Sequence, residues 1–149
     1  PADDGPILLY ARDPGPIGPV QPAWRGGAAG LAAKTALKMP DAFGTEPADL
    51  LCALGPAIGQ CCFETDDDVP AAMCQALGAE AEPFMTRRGE KWHIDLKDIN
   101  VHWLRRLGVE HIDICPHCTA CRQDLYWSHR KVGNARGAQI ALLALEEKP

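Results

Sequence analysis

No apolar run in this chain approaches the roughly 20 residues that a membrane-spanning helix needs. No charged n-region with an apolar core and a small-residue cleavage site opens it either. A membrane partner is therefore not expected. A basic stripe is also lacking: 15 Lys and Arg face 20 Asp and Glu, a formal net charge of −5. Non-specific nucleic-acid binding runs on Lys and Arg against phosphate, so this balance disfavours it. The pairs Arg87-Arg88 and Arg105-Arg106 stand alone and read as solvated surface. Internal repeats and low-complexity tracts are absent as well. What remains is 149 residues, 46% of them apolar, which suffices for one domain with a buried core and argues against disorder. The seven cysteines are an odd count without a secretory signal. Reduced thiols in a cytosol are expected rather than a disulfide framework, and hence a cytoplasmic location.

Along the chain, residues 6–11 (PILLYA) and 17–20 read as two short strands. The turn chemistry of Asp13-Pro14-Gly15-Pro16 between them suggests an antiparallel hairpin. A helix is predicted over 27–39, ended by Pro40. Strands follow at 49–54 and 61–64, then a helix over 69–77 with Asp66 to Asp68 at its start, where negative charge suits the helix dipole. Residues 79–89 read as an irregular loop. The clearest helix spans 94–107, with Leu96, Ile99, Asn100, Trp103, Leu104 and Leu107 on one stripe. Asp95 or Asp98 suits its N-terminus and Gly108 its C-cap. Strands are predicted at 109–114, 125–129 and 140–145, and the acidic Glu146-Glu147 as a solvated end. The fold class is α/β in the layered α+β sense: a mixed β-sheet packed with helices.

Several segments carry chemistry. Trp24-Arg25-Gly26-Gly27 feeds a helix through a glycine corner. Free amides at such an entrance, beside a planar guanidinium, suit phosphate or carboxylate. The alternative reading is purely structural, with Trp24 in the core, Arg25 paired with an acid and the glycines merely turning the chain. Gly55-Pro56-Ala57-Ile58-Gly59 sets a rigid turn, and Cys62 and Phe63 after it read as packing. Cys115, Cys118 and Cys121 form C-x2-C-x2-C beside His111 and His117, part of an iron–sulfur or zinc ligand run. No fourth ligand follows at the usual spacing, so reduced loop thiols are the alternative. Ser128 and His129 on adjacent strand positions would face opposite ways, which argues against a nucleophile pair.

Taken together, the Trp-Arg-Gly-Gly entrance, the Gly-Pro-Ala-Ile-Gly…Phe63-Glu64 segment, Cys118-Thr119 and Tyr126-Trp127-Ser128-His129-Arg130 resemble the laccase-domain family, the bacterial polyphenol-oxidase-like proteins. The resemblance runs from Ala2 to about Leu145. It implies that the chain is the C-terminal part of a larger domain, and a zinc-dependent purine nucleoside enzyme. Phosphorolysis of adenosine, inosine or guanosine would be the reaction, with adenosine deamination as a further activity. A nucleoside and phosphate would be the small-molecule partners. By the resemblance, Trp24, Arg25, Gly26, Ser128 and Arg130 line the substrate site, and Asp4 and Gln21 stand at metal-ligand positions. The family has Cys and His there; a carboxylate can bind zinc through oxygen, but a neutral amide is a poor ligand. Gly133 and Arg136-Gly137 lie near a family Gly-Arg-Gln run, with the order shifted. Copper, the older family label, is less expected because no set of His ligands is present. A silent nucleoside-binding or regulatory relative is the alternative that the substitutions at 4 and 21 favour, and a small metal-cluster protein built on Cys115, Cys118 and Cys121 is another.

Overall fold

The computed structural model describes residues 2–11 and 15–145. Two sheets and the helices between them form its frame. Strands β1 (Ile7–Ala11), β2 (Ile17–Val20) and β3 (Leu50–Leu54) join β7 (His111–Ile114) in the order β2-β1-β3-β7. β1 pairs antiparallel with β2 and β3, whereas β3 and β7 run parallel. The expected mixed sheet is thus present. A second sheet, β4 (Glu64–Thr65), β6 (Lys91–Ile94) and β5 (Met85–Arg88), is antiparallel throughout.

The apolar residues of β1 and β3 alternate: Ile7, Leu9 and Ala11, then Leu50, Cys52 and Leu54, are buried on one face. Helix α2 (Leu31–Phe43) covers them with Ala32, Ala36 and Met39, and Val101 and Leu104 close the same cluster. These last two lie on α4 (Leu96–Arg106). Its Leu96 and Ile99 join a second core with Val69, Met73 and Leu77 of α3 (Asp68–Leu77) and Ile94 of β6. α4 is therefore the shared wall between both cores, which is why its stripe was so legible. Asp95 caps it, accepting the Asp98 amide at 3.1 Å, and Gly108 N–H bonds the Arg105 carbonyl at 2.9 Å.

Several expected boundaries move. The helix predicted over 27–39 is two: α1 (Trp24–Ala28) and α2. Gly30 separates them at φ 64°, and a Cβ there would stand 3.3 Å from the Trp103 ring. Left-handed backbone and close approach both call for glycine. Pro40 does not end α2, which continues to Phe43; its carbonyl accepts the Gly44 amide at 2.7 Å and closes the last turn. The short strand expected at 61–64 begins only at Glu64, because Cys62 and Phe63 amides bond back to Gly59 in a turn. Residues 79–89 are not a loop: a 3-10 segment, Gly78–Phe84, leads into β5. Ile94 ends β6 rather than opening a helix. No strand forms at 125–129. Leu125 and Tyr126 amides bond the Arg122 carbonyl in a turn, and α5 (His129–Val132) follows. No strand forms at 140–145 either; Ile140 and Leu142 are 82% and 87% exposed. The hairpin turn lies partly, and the acidic end wholly, outside the described residues.

Candidate functional site

Strand directions decide where chemistry gathers. Parallel pairing of Leu54 with Ile114 brings the segments after β3 and β7 to one sheet end. Antiparallel pairing of Ile7 with Leu54 brings the segment before β1 to that end too. Crevices at the carboxyl ends of parallel strands are common binding places in α/β proteins. Here the three segments are laced together. Ile58 N–H donates to the Asp3 carbonyl at 2.9 Å and Thr119 N–H to the Ala57 carbonyl at 3.0 Å. The Asp3 carboxylate accepts the Thr119 hydroxyl at 2.7 Å and the Arg130 amide at 2.8 Å.

Between these segments lies a cavity of about 210 Å3. Asp3, Asp4 and Leu96 line it together with Trp24, Ile58 and Phe63. His129, Arg130 and Arg136 complete the wall. Arg130 sits with its guanidinium 5.6 Å from the Phe63 ring centre and donates to the Glu64 carbonyl at 2.7 Å. Arg136 Nε donates to His129 Nδ1 at 3.2 Å. A guanidinium has five N–H donors, so both arginines retain capacity for an anionic ligand. Burial, and then the charge of Asp3, hold the Asp4 carboxyl above the usual aspartate range.

The expected substrate residues divide. Trp24 and Arg130 line this cavity. Arg25 is exposed, stacked 4.3 Å above the Trp24 ring, and lines a separate shallow groove with Ala72 and Gln75 of α3. Gly26 fills the corner between Pro22 and Leu31, where a Cβ would meet Pro22 at 3.2 Å. Ser128 precedes α5 at 1% exposure, its hydroxyl unpartnered, and does not line the cavity. His129, which the strand reading pointed away from Ser128, does.

Asp4 and Gln21 do come together: Gln21 Nε2 donates to the Asp4 backbone carbonyl at 3.0 Å, and both line an adjoining groove. As a zinc site the pair does not fit. A catalytic zinc wants three protein ligands, and this pair offers one carboxylate and one neutral amide, a poor ligand for zinc. Among the described residues, the one group of three or more ligand atoms close enough to share an ion lies elsewhere, at Cys61, Cys62, Cys118 and Cys121. The C-x2-C-x2-C reading is thus half right. Cys118 and Cys121 belong to the group, but Cys115 does not: its Sγ is 4.0 Å from the Tyr126 hydroxyl, which His117 Nδ1 also contacts at 2.9 Å. Sequence reading also missed Asp3, Thr119 and Cys61. The adjacent pair Cys61-Cys62 was the available signal; what hid it was a separation of 60 and 59 positions from Cys121, closed by the β3–β7 pairing.

Among the described residues no helix is long and apolar enough to cross a membrane. The family model described as multi-copper polyphenol oxidoreductase laccase matches residues 1–146. The purine nucleoside phosphorylase YlmD of Geobacillus stearothermophilus is 32% identical over 150 residues, covering 99% of this chain and 55% of that protein. A purine nucleoside phosphorylase of Bacteroides thetaiotaomicron is 31% identical over 140 residues, covering 91% of this chain and 52% of its own length. The crystal structure of the Geobacillus stearothermophilus YlmD superposes with a TM-score of 0.81 at 33% identity, over 87% of this chain and 49% of that one. That of Bacillus licheniformis YfiH does so at 0.81 and 32%, over 89% and 51%. The chain spans about half the length of the relatives it matches. Fold, sequence and family model agree, and the chain belongs to the laccase-domain family of multi-copper polyphenol oxidoreductase laccase proteins.

Proposed function

We propose that the cavity between the three converging segments takes a purine nucleoside and phosphate, and that the activity is phosphorolysis in the cytoplasm. The observation that carries this is the make-up of that wall in a chain related to proteins named purine nucleoside phosphorylases. Trp24 and Phe63 offer flat apolar surface to a purine. Arg130 and Arg136 offer guanidinium donors to phosphate. The Asp4 carboxyl is suited to ribose hydroxyls, while Asp3 is engaged in holding Thr119 and α5 in place. Arg25 acts through its stacking on Trp24.

In the step itself, a phosphate oxygen bonds to C1′ of the ribose as the C1′–N bond to the purine breaks. The electron pair leaves on the base, which takes up the proton that hydrogen phosphate brings, giving ribose 1-phosphate and free purine. Holding phosphate and nucleoside together supplies the entropic part of the catalysis, and the arginines balance the phosphate charge as the ribose turns cationic. No part of this step is assigned to zinc at Asp4 and Gln21, since that pair does not fit it. A copper-dependent oxidation has less support, because the one close ligand group among the described residues is made of thiols with no histidine.

A second reading is a silent nucleoside-binding relative, favoured by Gln21 and its commitment to the Asp4 carbonyl. Incubation of the purified chain with adenosine, inosine or guanosine and phosphate, followed by chromatography, separates the two. Free base and ribose 1-phosphate, or inosine from adenosine, are the products of an active site. Unchanged nucleoside in every mixture, with binding retained, overturns the enzymatic reading in favour of the silent one.

A further inference from the structure

Four thiols from two distant stretches of sequence meet where the post-β3 and post-β7 loops approach each other. The Sγ atoms of Cys61, Cys62, Cys118 and Cys121 all lie within 4.8 Å of one another. Cys121 Sγ is 3.6 Å from that of Cys61 and 3.5 Å from that of Cys62. A regular tetrahedron of thiolates at a zinc–sulfur distance of about 2.3 Å has edges of roughly 3.8 Å. The group is therefore already near the size of a zinc tetrathiolate. A disulfide would need its sulfurs at about 2.05 Å, well inside these separations.

The backbone is arranged for negative sulfur. Gly59 N–H donates to Cys118 Sγ at 3.1 Å. A Cβ on Gly59 would stand 3.2 Å from Cys118 Cβ and 3.3 Å from Cys61 Sγ, so the close approach depends on glycine. Each pair of cysteines sits in its own turn. The Cys62 amide bonds the Gly59 carbonyl at 3.0 Å, and the Cys121 amide bonds the Cys118 carbonyl at 3.2 Å. The turns are joined by the parallel bridge of Ala57 with Cys118. Thiolates are the metal-binding form, so a divalent ion would displace the thiol protons to solvent as it binds.

We infer that Cys61, Cys62, Cys118 and Cys121 form a closed structural site for a thiophilic divalent cation of zinc type, which ties the post-β3 loop to the post-β7 loop. The site shares no ligand with Asp4 or Gln21 and does not depend on the catalytic reading. With all four positions filled by protein, no place is left for water or substrate, so its role is mechanical. Ile58 and Phe63 of the cavity wall flank one pair of ligands, and Thr119, which holds Asp3, follows Cys118 in the other.

The test uses the full 149-residue chain, purified under reducing conditions with zinc and then exchanged with cobalt. Metal analysis is expected to give a single tightly held ion per chain. The cobalt form is expected to show intense thiolate-to-metal charge-transfer bands and tetrahedral ligand-field bands. The double variant C118S/C121S is expected to lose the ion, while C115S, from the same sequence motif, keeps it. Stripping the ion with a chelator is expected to lower the melting temperature. Reduced wild-type protein that takes up no stoichiometric zinc and gives no thiolate–cobalt bands would overturn the inference without reliance on any variant. So would an ion retained by C118S/C121S, a melting temperature indifferent to stripping, or a disulfide within the group that forms under the same reducing conditions and excludes metal.

Discussion

Single residues carry most of the chemistry, and their legibility was uneven. Trp24 and Arg130 were read as site residues and do line the cavity. Asp3 was not, because its importance lies in two long-range bonds, to Thr119 and to the Arg130 amide, which no local pattern announces. Asp4 gives a prediction at this scale. Its carboxyl is raised first by burial and then by Asp3. A raised acid favours the neutral form in the folded state, so its favourable contribution is present at low pH and is lost as pH rises through the folded value. At neutral pH the ionised group costs stability. Asp4→Asn is therefore expected to raise the melting temperature near pH 7, with the gain vanishing in acid below the aspartate range. Melting curves at both pH values check this, and a loss of stability at neutral pH would contradict it.

Elements were legible where one face is apolar and hidden where none is. β1 and β3 alternate buried and less buried positions, and α4 presents a helical stripe. β5, by contrast, has three of its four residues exposed, Thr86, Arg87 and Arg88, and so reads as loop. The apolar runs at 125–129 and 140–145 misled in the other direction: β propensity reports a fit to a half-buried surface, and these runs have no strand partner among the described residues. Because α4 serves both cores, its interior carries a sharp expectation. Ile99 is fully buried in the second core, and Ile99→Ala is expected to cost about 2–5 kcal/mol from lost transfer energy and the cavity left behind. Denaturant unfolding measures it; a cost under about 1 kcal/mol would show that α4 is not the wall described.

At the scale of the whole molecule, the mixed sheet was legible but its order was not. The composition of β3 and β7 indicates strands; it does not say that they lie side by side and parallel. That pairing brings the Gly-Pro-Ala-Ile-Gly turn and the Cys118-Thr119 loop to one end, and the antiparallel pairing of β1 with β3 adds the Ala2–Asp4 segment. The parallel pairing also turns two unremarkable cysteine pairs into one group. The family resemblance drew attention to positions 4 and 21, while the close ligand set among the described residues stands on the loops after β3 and β7.

The central claim is that this end of the sheet holds a purine nucleoside, whether or not it turns it over. Equilibrium binding of inosine to the reduced chain, measured by calorimetry for the wild type and for Arg136→Ala, addresses it directly. Saturable binding is expected, weakened about tenfold or more when phosphate is present and Arg136 is removed, a difference of about 1.4 kcal/mol. No saturable binding, or equal binding by both proteins, would contradict it.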